Sequence, residues 1–353
     1  MIDLRLQKYA LVALAAAALF GISTPLSKVL LGEVSPQGLA GLLYLGSGIG
    51  LLLVRSLLRG TAIELPAEAK LTRSDLPWLA GAIVCGGAIA PVLLLWGLRG
   101  SDAAAASLLL NFEGVLTTLV AAAFFREAIA MRVWVASLLI VAGGILLSWQ
   151  PGATSGFSMR SLAIGGACLF WALDNNFTRK VSGGDPVVIA LAKGLSAGSV
   201  NLALAAALGL RWPAPGVIAA ALLLGFISYG VSLVLFIYAL RNLGSARASA
   251  HFSSAPFIGA VVAVLVLHEP VTVPLIVAVV IMAGATWLVL GERHGHPHTH
   301  ESLTHIHSHV HDAHHQHVHD GGPVDESHVH EHRHDPLSHS HPHLPDLHHR
   351  HRH

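Results

Sequence analysis

The stretch LPWLAGAIVCGGAIAPVLLLWGL, residues 76–98, contains no charged side chain. A helix of that length reaches about 35 Å at about 1.5 Å per residue, enough to cross a hydrocarbon core about 30 Å thick. Working outward from it, similar apolar runs recur along the chain. They predict spans at 8–31, 37–58, 76–99, 102–125, 130–149, 159–180, 185–208, 215–240, 245–267 and 271–291. The breaks carry turn-forming residues: Ser35–Pro36, Pro66, Gln150–Pro151–Gly152, Gly183–Gly184–Asp185–Pro186 and Pro213–Ala214–Pro215. Composition agrees, because 53% of the chain is apolar and only 12% is charged, whereas a soluble domain carries about 25% charge to cover its surface. The expected fold class is an all-α integral membrane protein with ten transmembrane helices, followed by a disordered C-terminal tail.

Lysine and arginine positions predict the orientation. With the N-terminus cytoplasmic, that face collects Arg5, Lys8, Arg55, Arg59, Lys70, Arg73, Arg126, Arg132, Arg179, Lys180, Arg241, Arg247 and Arg293, against Lys28, Arg99, Arg160 and Arg211 opposite. An even number of spans returns the C-terminus to the cytoplasm. The expectation is a multi-pass protein of the cell's inner (plasma) membrane with both termini cytoplasmic. Cys85 and Cys168 lie in apolar runs and read as packing residues.

The two halves resemble each other. Leu98–Arg99 aligns with Leu240–Arg241, Ala104 with Ala246, Ser107 with Ser249 and Glu127 with Glu269, all at an offset of 142, and Phe20–Lys28 aligns with Trp171–Arg179 at 151. Residues 1–150 and 151–293 are thus expected to form two five-helix repeats, with 294–353 as the tail. Five is odd, so the halves enter the membrane from opposite sides. Such an inverted 5+5 repeat suits alternating access, in which exchanging the conformations of two similar halves moves the opening from one face to the other.

These segments resemble a known family. Phe20–Gly21–Ile22–Ser23–Thr24–Pro25–Leu26–Ser27–Lys28, Trp171–Ala172–Leu173–Asp174–Asn175–Asn176, Arg126–Glu127 and His268–Glu269 look like the drug/metabolite transporter superfamily, EamA type, over roughly residues 8–291. The resemblance implies a secondary transporter, often an exporter, of metabolites such as amino acids. The Asp174–Asn175–Asn176 cluster is richer in polar groups than the family's general pattern, so substrate class does not carry over.

Charges at bilayer depth cost about 2.5–3.5 kcal/mol each even on the lenient insertion scale, which makes them the first site candidates. Glu113 falls at the midpoint of the fourth span and could exchange a proton, or simply tie helices together by hydrogen bonds. Asp174 and Lys193 lie about 9 Å and 12 Å below the cytoplasmic face by helix rise, which makes them candidate partners. Lys193 could instead snorkel to the surface. His251, at about the depth of Asp174, reads more readily as a hydrogen-bonded core histidine than as a ligand. Asn175 and Asn176 align with Thr24 and Pro25, placing polar breaks at equivalent points of two helices. The expected substrate or proton pathway is Glu113, Asp174, Asn175, Asn176, Lys193, His251 and Thr24. Glu127 and Glu269, at helix ends, read as caps or loop anchors rather than gates.

The tail is a different object. It holds 23 of the 25 histidines and, histidines apart, a net charge of −5, against +6 for residues 1–293. His294, His296, His298, His300, His305, His307, His309, His311, His314, His315, His317 and His319 recur largely in alternation. Neutral imidazole ligates zinc, nickel, cobalt and copper, so divalent metal binding is expected there, with no cofactor required by the membrane part. Other expected partners are the lipid bilayer and a small-molecule substrate, with no nucleic acid, for a monomer or homodimer.

The leading reading is a transporter of small organic solutes with a metal-responsive tail. One alternative is a carrier of divalent metal or a metal chelate, which the tail favours and the histidine-poor spans oppose. Another is a non-transporting metal sensor or scaffold. No phosphate loop, HExxH motif or nucleophile–base spacing points to an enzyme.

Overall fold

A computed structural model describes residues 4–59, 71–125, 131–149, 158–181, 184–243, 248 and 251–290, and the backbone of four strands beyond them. The helices are α1 (Leu4–Gly21), α2 (Ser23–Leu30), α3 (Pro36–Arg59), α4 (Leu76–Ala82), α5 (Ala90–Leu98), α6 (Ala103–Leu109), α7 (Phe112–Phe125), α8 (Met131–Ser148), α9 (Met159–Val181), α10 (Pro186–Ala207), α11 (Pro215–Gly225), α12 (Ser232–Leu243), α13 (Ala255–Leu267) and α14 (Val273–Leu290). Helical residues occupy each of the ten expected segments. Among the described residues, seven stretches are long and apolar enough to cross a membrane, while Ala255–Leu267 and Val273–Leu288 are shorter. Helix α9 has 23 residues and carries Asp174, Asn175, Asn176, Arg179 and Lys180. This is a multi-pass helical membrane protein.

Local sequence sets the helix ends. Ser35 Oγ accepts a hydrogen bond from the Gly38 amide at 3.1 Å, and Pro36 opens α3, where its missing N–H costs nothing. Asp185 caps α10 by accepting from the Val187 and Val188 amides at 2.9 and 3.3 Å, with Pro186 next. Its other oxygen takes the Arg55 guanidinium at 2.9 Å, so one carboxylate joins the end of α3 to the start of α10. At the end of α13, His268 adopts the left-handed conformation (φ 53°) and turns the chain into Glu269.

The irregularities repeat. Wide π-turns at Ile83–Ile89, between α4 and α5, and at Phe226–Val231, between α11 and α12, coincide when one is displaced by 142 residues. The same displacement carries the α6–α7 break at Leu110–Asn111 to within one residue of the break at Ser253–Ser254, just before α13. The offset that aligns the sequences therefore also aligns the departures from α-helix.

Glycines set the closest approach. A methyl on Gly194 would lie 2.6 Å from the Gly48 nitrogen, and one on Gly198 2.5 Å from the Leu45 nitrogen, so α3 and α10 touch backbone to backbone. Close approach of small residues is how helices gain packing energy in lipid, where little hydrophobic drive operates between them.

The two ends of the bundle differ. The largest buried cluster includes Leu31, Val34, Leu39, Leu43, Leu94, Leu95, Leu98, Leu108, Ile164, Ala221 and Ala263, all toward the end that bears Lys28, Ala103 and Glu269. At the Asp185 end the clusters are small: Leu79, Val181 and Ile189 in one, Ala13, Ala239 and Ala248 in another.

Four short stretches of the tail are extended. Strands β1 (Gly295–Thr299) and β4 (Ser338–Pro342) pair antiparallel, as do β2 (Leu303–His309) and β3 (His328–His334). The His-x-His alternation has the two-residue period of a strand, and a main-chain ladder forms without an apolar core. The register sets His305, His307 and His309 opposite His332, His330 and His328, and His296 and His298 opposite His341 and His339. His294, His300, His311, His314, His315, His317 and His319 lie outside the described residues.

Candidate functional site

Three helices, α7, α9 and α10, bring polar groups together. Lys193 on α10 donates to both oxygens of Asp174 on α9, at 2.6 and 2.7 Å, and to Thr178 Oγ1 at 3.3 Å. Thr178 in turn donates to Asp174 Oδ1 at 2.9 Å. The expected pairing of Asp174 with Lys193 is present, and the Lys193 ammonium is held inside rather than drawn to the surface. Each side chain is mostly buried, 7% and 13% exposed. Burying either charge alone would be costly, and the pair with its hydroxyl offsets most of that cost.

Glu113 opens α7 just after the break in that span. Asn175 Nδ2 donates to Glu113 Oε1 at 2.8 Å and lies 3.3 Å from Thr117 Oγ1. Asn175 is exposed, Glu113 half-buried, and a Cβ on the neighbouring Gly114 would meet nothing within 4 Å. Asn176 is buried and turned the other way, donating to the carbonyls of Ala172 at 2.8 Å and Thr117 at 3.3 Å. It ties α9 to α7.

Thr24 and His251 stand apart from this layer. Thr24 is 2% exposed and lines a slit with Phe20, Gly21, Ser107, Leu110, Ala255 and Pro256, too narrow to hold a water molecule. Ser107 Oγ is buried there without a hydrogen-bond partner. His251 is half-buried, and its carbonyl accepts from Ser254 Oγ at 2.7 Å.

Sequence reasoning missed several groups. Tyr44 Oη and Trp171 Nε1 both donate to the Gly86 carbonyl, at 2.6 and 3.0 Å. That oxygen belongs to the first wide turn, where the widened helix leaves an acceptor for side chains. Asn201, fully buried, donates to the Gly87 carbonyl at 3.0 Å and accepts from Gln37 Nε2 at 2.7 Å. Aromatic rings form a chain whose neighbouring centroids lie 4.5–5.8 Å apart: Tyr44, Tyr229, Phe20, Phe252, Phe236. Five rings scattered over 200 residues give no local motif.

The largest surprise is at the packed end. Lys28 Nζ donates to Glu269 Oε1 at 2.6 Å, and the same carboxylate accepts from the amides of Ala103 at 2.7 Å and Ala104 at 2.8 Å. Three elements 241 residues apart in sequence thus meet at one side chain. Burial alone would raise the Glu269 carboxyl, but the Lys28 bond and the two amides outweigh it and hold the group below its ordinary value. Glu269 is indeed a cap, as expected, yet it caps a helix from the opposite half. Its counterpart Glu127 lies outside the described residues. Among the described residues, no three His, Cys, Asp or Glu side chains converge as a metal site.

Comparisons with known proteins agree with this architecture. A curated relative, an uncharacterized transporter of Methanothermobacter thermautotrophicus, is 28% identical over 272 residues, covering 73% of this chain and 79% of its own. A crystal structure of a protein 18% identical superposes with a TM-score of 0.58, over 80% of this chain and 95% of its own, which supports the fold. The profile of the EamA-like transporter family matches twice, over residues 7–149 and 160–291. The chain therefore belongs to the EamA-like transporter family.

Proposed function

We propose that this protein is a secondary transporter of small organic solutes, acting by alternating access and most simply as an exporter. Its ten spans form an inverted 5+5 repeat in the plasma membrane, with both termini cytoplasmic and the His-rich tail binding divalent metal there. The observation that carries the reading is the mid-depth polar layer of Asp174, Lys193, Glu113 and Asn175 beneath one sealed end. Buried ion pairs add little stability compared with apolar packing, so a layer of this kind is better accounted for by a solute path. The Lys28–Glu269 pair, which joins the two halves at one end of the bundle, supports a closed outer face in this reading. The equivalent wide turns and breaks in the two halves support an exchange of shapes between them.

The test is reconstitution of full-length protein and residues 1–293 in liposomes, followed by flux of a metabolite panel and of Zn²⁺, Ni²⁺ and Co²⁺. The reading expects metabolite flux from both forms, modulated by metal only in the full-length protein. Metal flux that vanishes with the tail would favour the metal-carrier alternative, which the facing histidines of the tail register support.

A further inference from the structure

The net charge of the bundle sits at one end. At the end that carries Asp185, the basic side chains among the described residues are Lys8, Arg55, Arg73, Arg132, Arg179 and Lys180, against Asp75 and Asp185. The balance there is +4, and Lys8, Arg73 and Arg132 are exposed. Both carboxylates are already engaged locally: Asp185 takes the Arg55 guanidinium and two amides of α10, and Asp75 accepts from the Thr72 amide and hydroxyl. At the opposite end Lys28, Arg99, Arg160 and Arg211 meet Glu33, Asp102 and Glu269, which leaves a balance of only +1.

The tail leaves from the basic end. Helix α14 starts at Val273, shortly after Glu269, and runs antiparallel to α8, with Met282 facing Gly143 and Ala285 packed with Ala136 and Ile140. Its last residue, Leu290, therefore comes out level with the start of α8, where Arg132 lies. The tail begins at His294, and its 60 residues, at up to about 3.3 Å each, reach every basic side chain of that end. With its imidazoles neutral the tail carries −5, from eight acidic and three basic side chains. A segment of one sign tethered beside a surface of the other is held at high effective concentration and drawn onto it.

Metal changes the sign. Neutral imidazoles bring no charge to a divalent ion, so each ion bound adds two positive charges. The third ion turns −5 into +1, and 23 histidines are enough for three ions at four ligands each. Arg179 lies on α9 one turn beyond Asn175, the exposed member of the polar layer, so a tail held on this end also lies across the approach to that layer.

Resting on the reading of the tail as a metal binder, we infer that the basic end of the bundle is the docking surface of the metal-free tail, and that metal loading reverses the tail's charge and releases it. The docked and released forms differ in the sign of one segment, with no change of fold required in the bundle.

The experiment uses the full-length chain, one per nanodisc of uncharged phosphatidylcholine, at about pH 8 so that the imidazoles stay neutral. Donor and acceptor dyes are placed on Met131→Cys, at a position 75% exposed beside Arg132, and on Ser327→Cys in the tail, in a background lacking Cys85 and Cys168. Energy transfer should be high without metal in about 50 mM salt and fall at least about twofold in about 1 M salt, where the Debye length shrinks to about 3 Å. Replacing the tail's eight acidic side chains by their amides leaves the bundle and the histidines untouched and should lower transfer equally. Zn²⁺ should lower it too, with the fall complete soon after the third ion bound per chain, counted by dialysis. Transfer that ignores salt, survives in the amide tail, or is kept or raised by bound Zn²⁺ would overturn the inference. Close approach seen only in nanodiscs containing phosphatidylserine would make anionic lipid the partner and overturn it as well. Zn²⁺ that fails to bind at all removes the metal reading of the tail together with the release, whereas Zn²⁺ that binds and leaves the tail in place defeats the inference alone. Neither outcome touches the transporter reading, which metabolite flux decides.

Discussion

Replacing Glu269 with glutamine should unlatch the packed end of the bundle. The substitution keeps shape and removes charge. A hydrogen bond to a charged group is worth about 1.5–3 kcal/mol, and a neutral one about 1, so each of the three bonds to this carboxylate stands to lose roughly 1 kcal/mol. The Lys28 bond is discounted close to zero, because Lys28 is 28% exposed and solvent screens it. The total, about 2 kcal/mol, shifts the closed-to-open ratio by roughly 30-fold. The readout is a cysteine at Ser107, which is 1% exposed beneath the latch, in a background lacking Cys85 and Cys168. Labelling of Ser107→Cys by a membrane-impermeant maleimide from the Glu269 side should speed up about 10- to 30-fold on adding Glu269→Gln. The pH dependence has a definite sign. The carboxyl is lowered on closure, so the latch's contribution is complete above the ordinary glutamate value of about 4.3 and is lost as pH falls through the lowered one. Divided by the rate at a fully exposed reference cysteine, which carries the thiol's own pH dependence, labelling of the parent should stay flat from about pH 8 to 5 and rise only below about 4.3. A rate unchanged by Glu269→Gln would refute the argument.

Other outcomes follow from the same contacts. Lys193→Met leaves Asp174 buried and unpaired and should destabilise by about 3–5 kcal/mol, whereas Lys193→Met with Asp174→Asn should recover much of that loss; thermal unfolding in detergent measures both. Gly194→Ala should lower the unfolding temperature, since its methyl would press on the Gly48 backbone at 2.6 Å, an overpacking cost of about 1–3 kcal/mol. Asn201→Leu leaves Gln37 and the Gly87 carbonyl without their partner and should cost about 1–3 kcal/mol by the same assay. Full-length protein should bind several Zn²⁺ ions by equilibrium dialysis and residues 1–293 almost none; equal binding would remove the metal role from the tail.

The helical segments were legible because the bilayer imposes length and apolarity on each one separately. The Asp174–Lys193 pair was legible for a related reason: charges at lipid depth are rare enough that two of opposite sign in consecutive helices have few other partners. The pairing of Glu113 with Asn175 was half legible, each being named without the bond between them. The Lys28–Glu269 latch was not, because each lies at a helix end where charge is ordinary, and only the fold brings them to the Ala103 and Ala104 amides. The wide turn at Ile83–Ile89 was equally hidden, because it lies inside an unbroken apolar run with no charged side chain to mark it.

A wide turn spends one more residue than an ordinary one, and everything after it is rotated by about 100° about the axis. Leu94, Leu95 and Leu98 are aimed at the interior by an apparent defect five to nine residues upstream. Shortening that segment by a single amino acid would yield a more regular helix and a ruined protein, its leucines swung toward lipid and Trp96, now 46% exposed, turned inward. Insertions and deletions near residues 83–89 should therefore be far less tolerated than substitutions there, a pattern that a length-variant library can read directly.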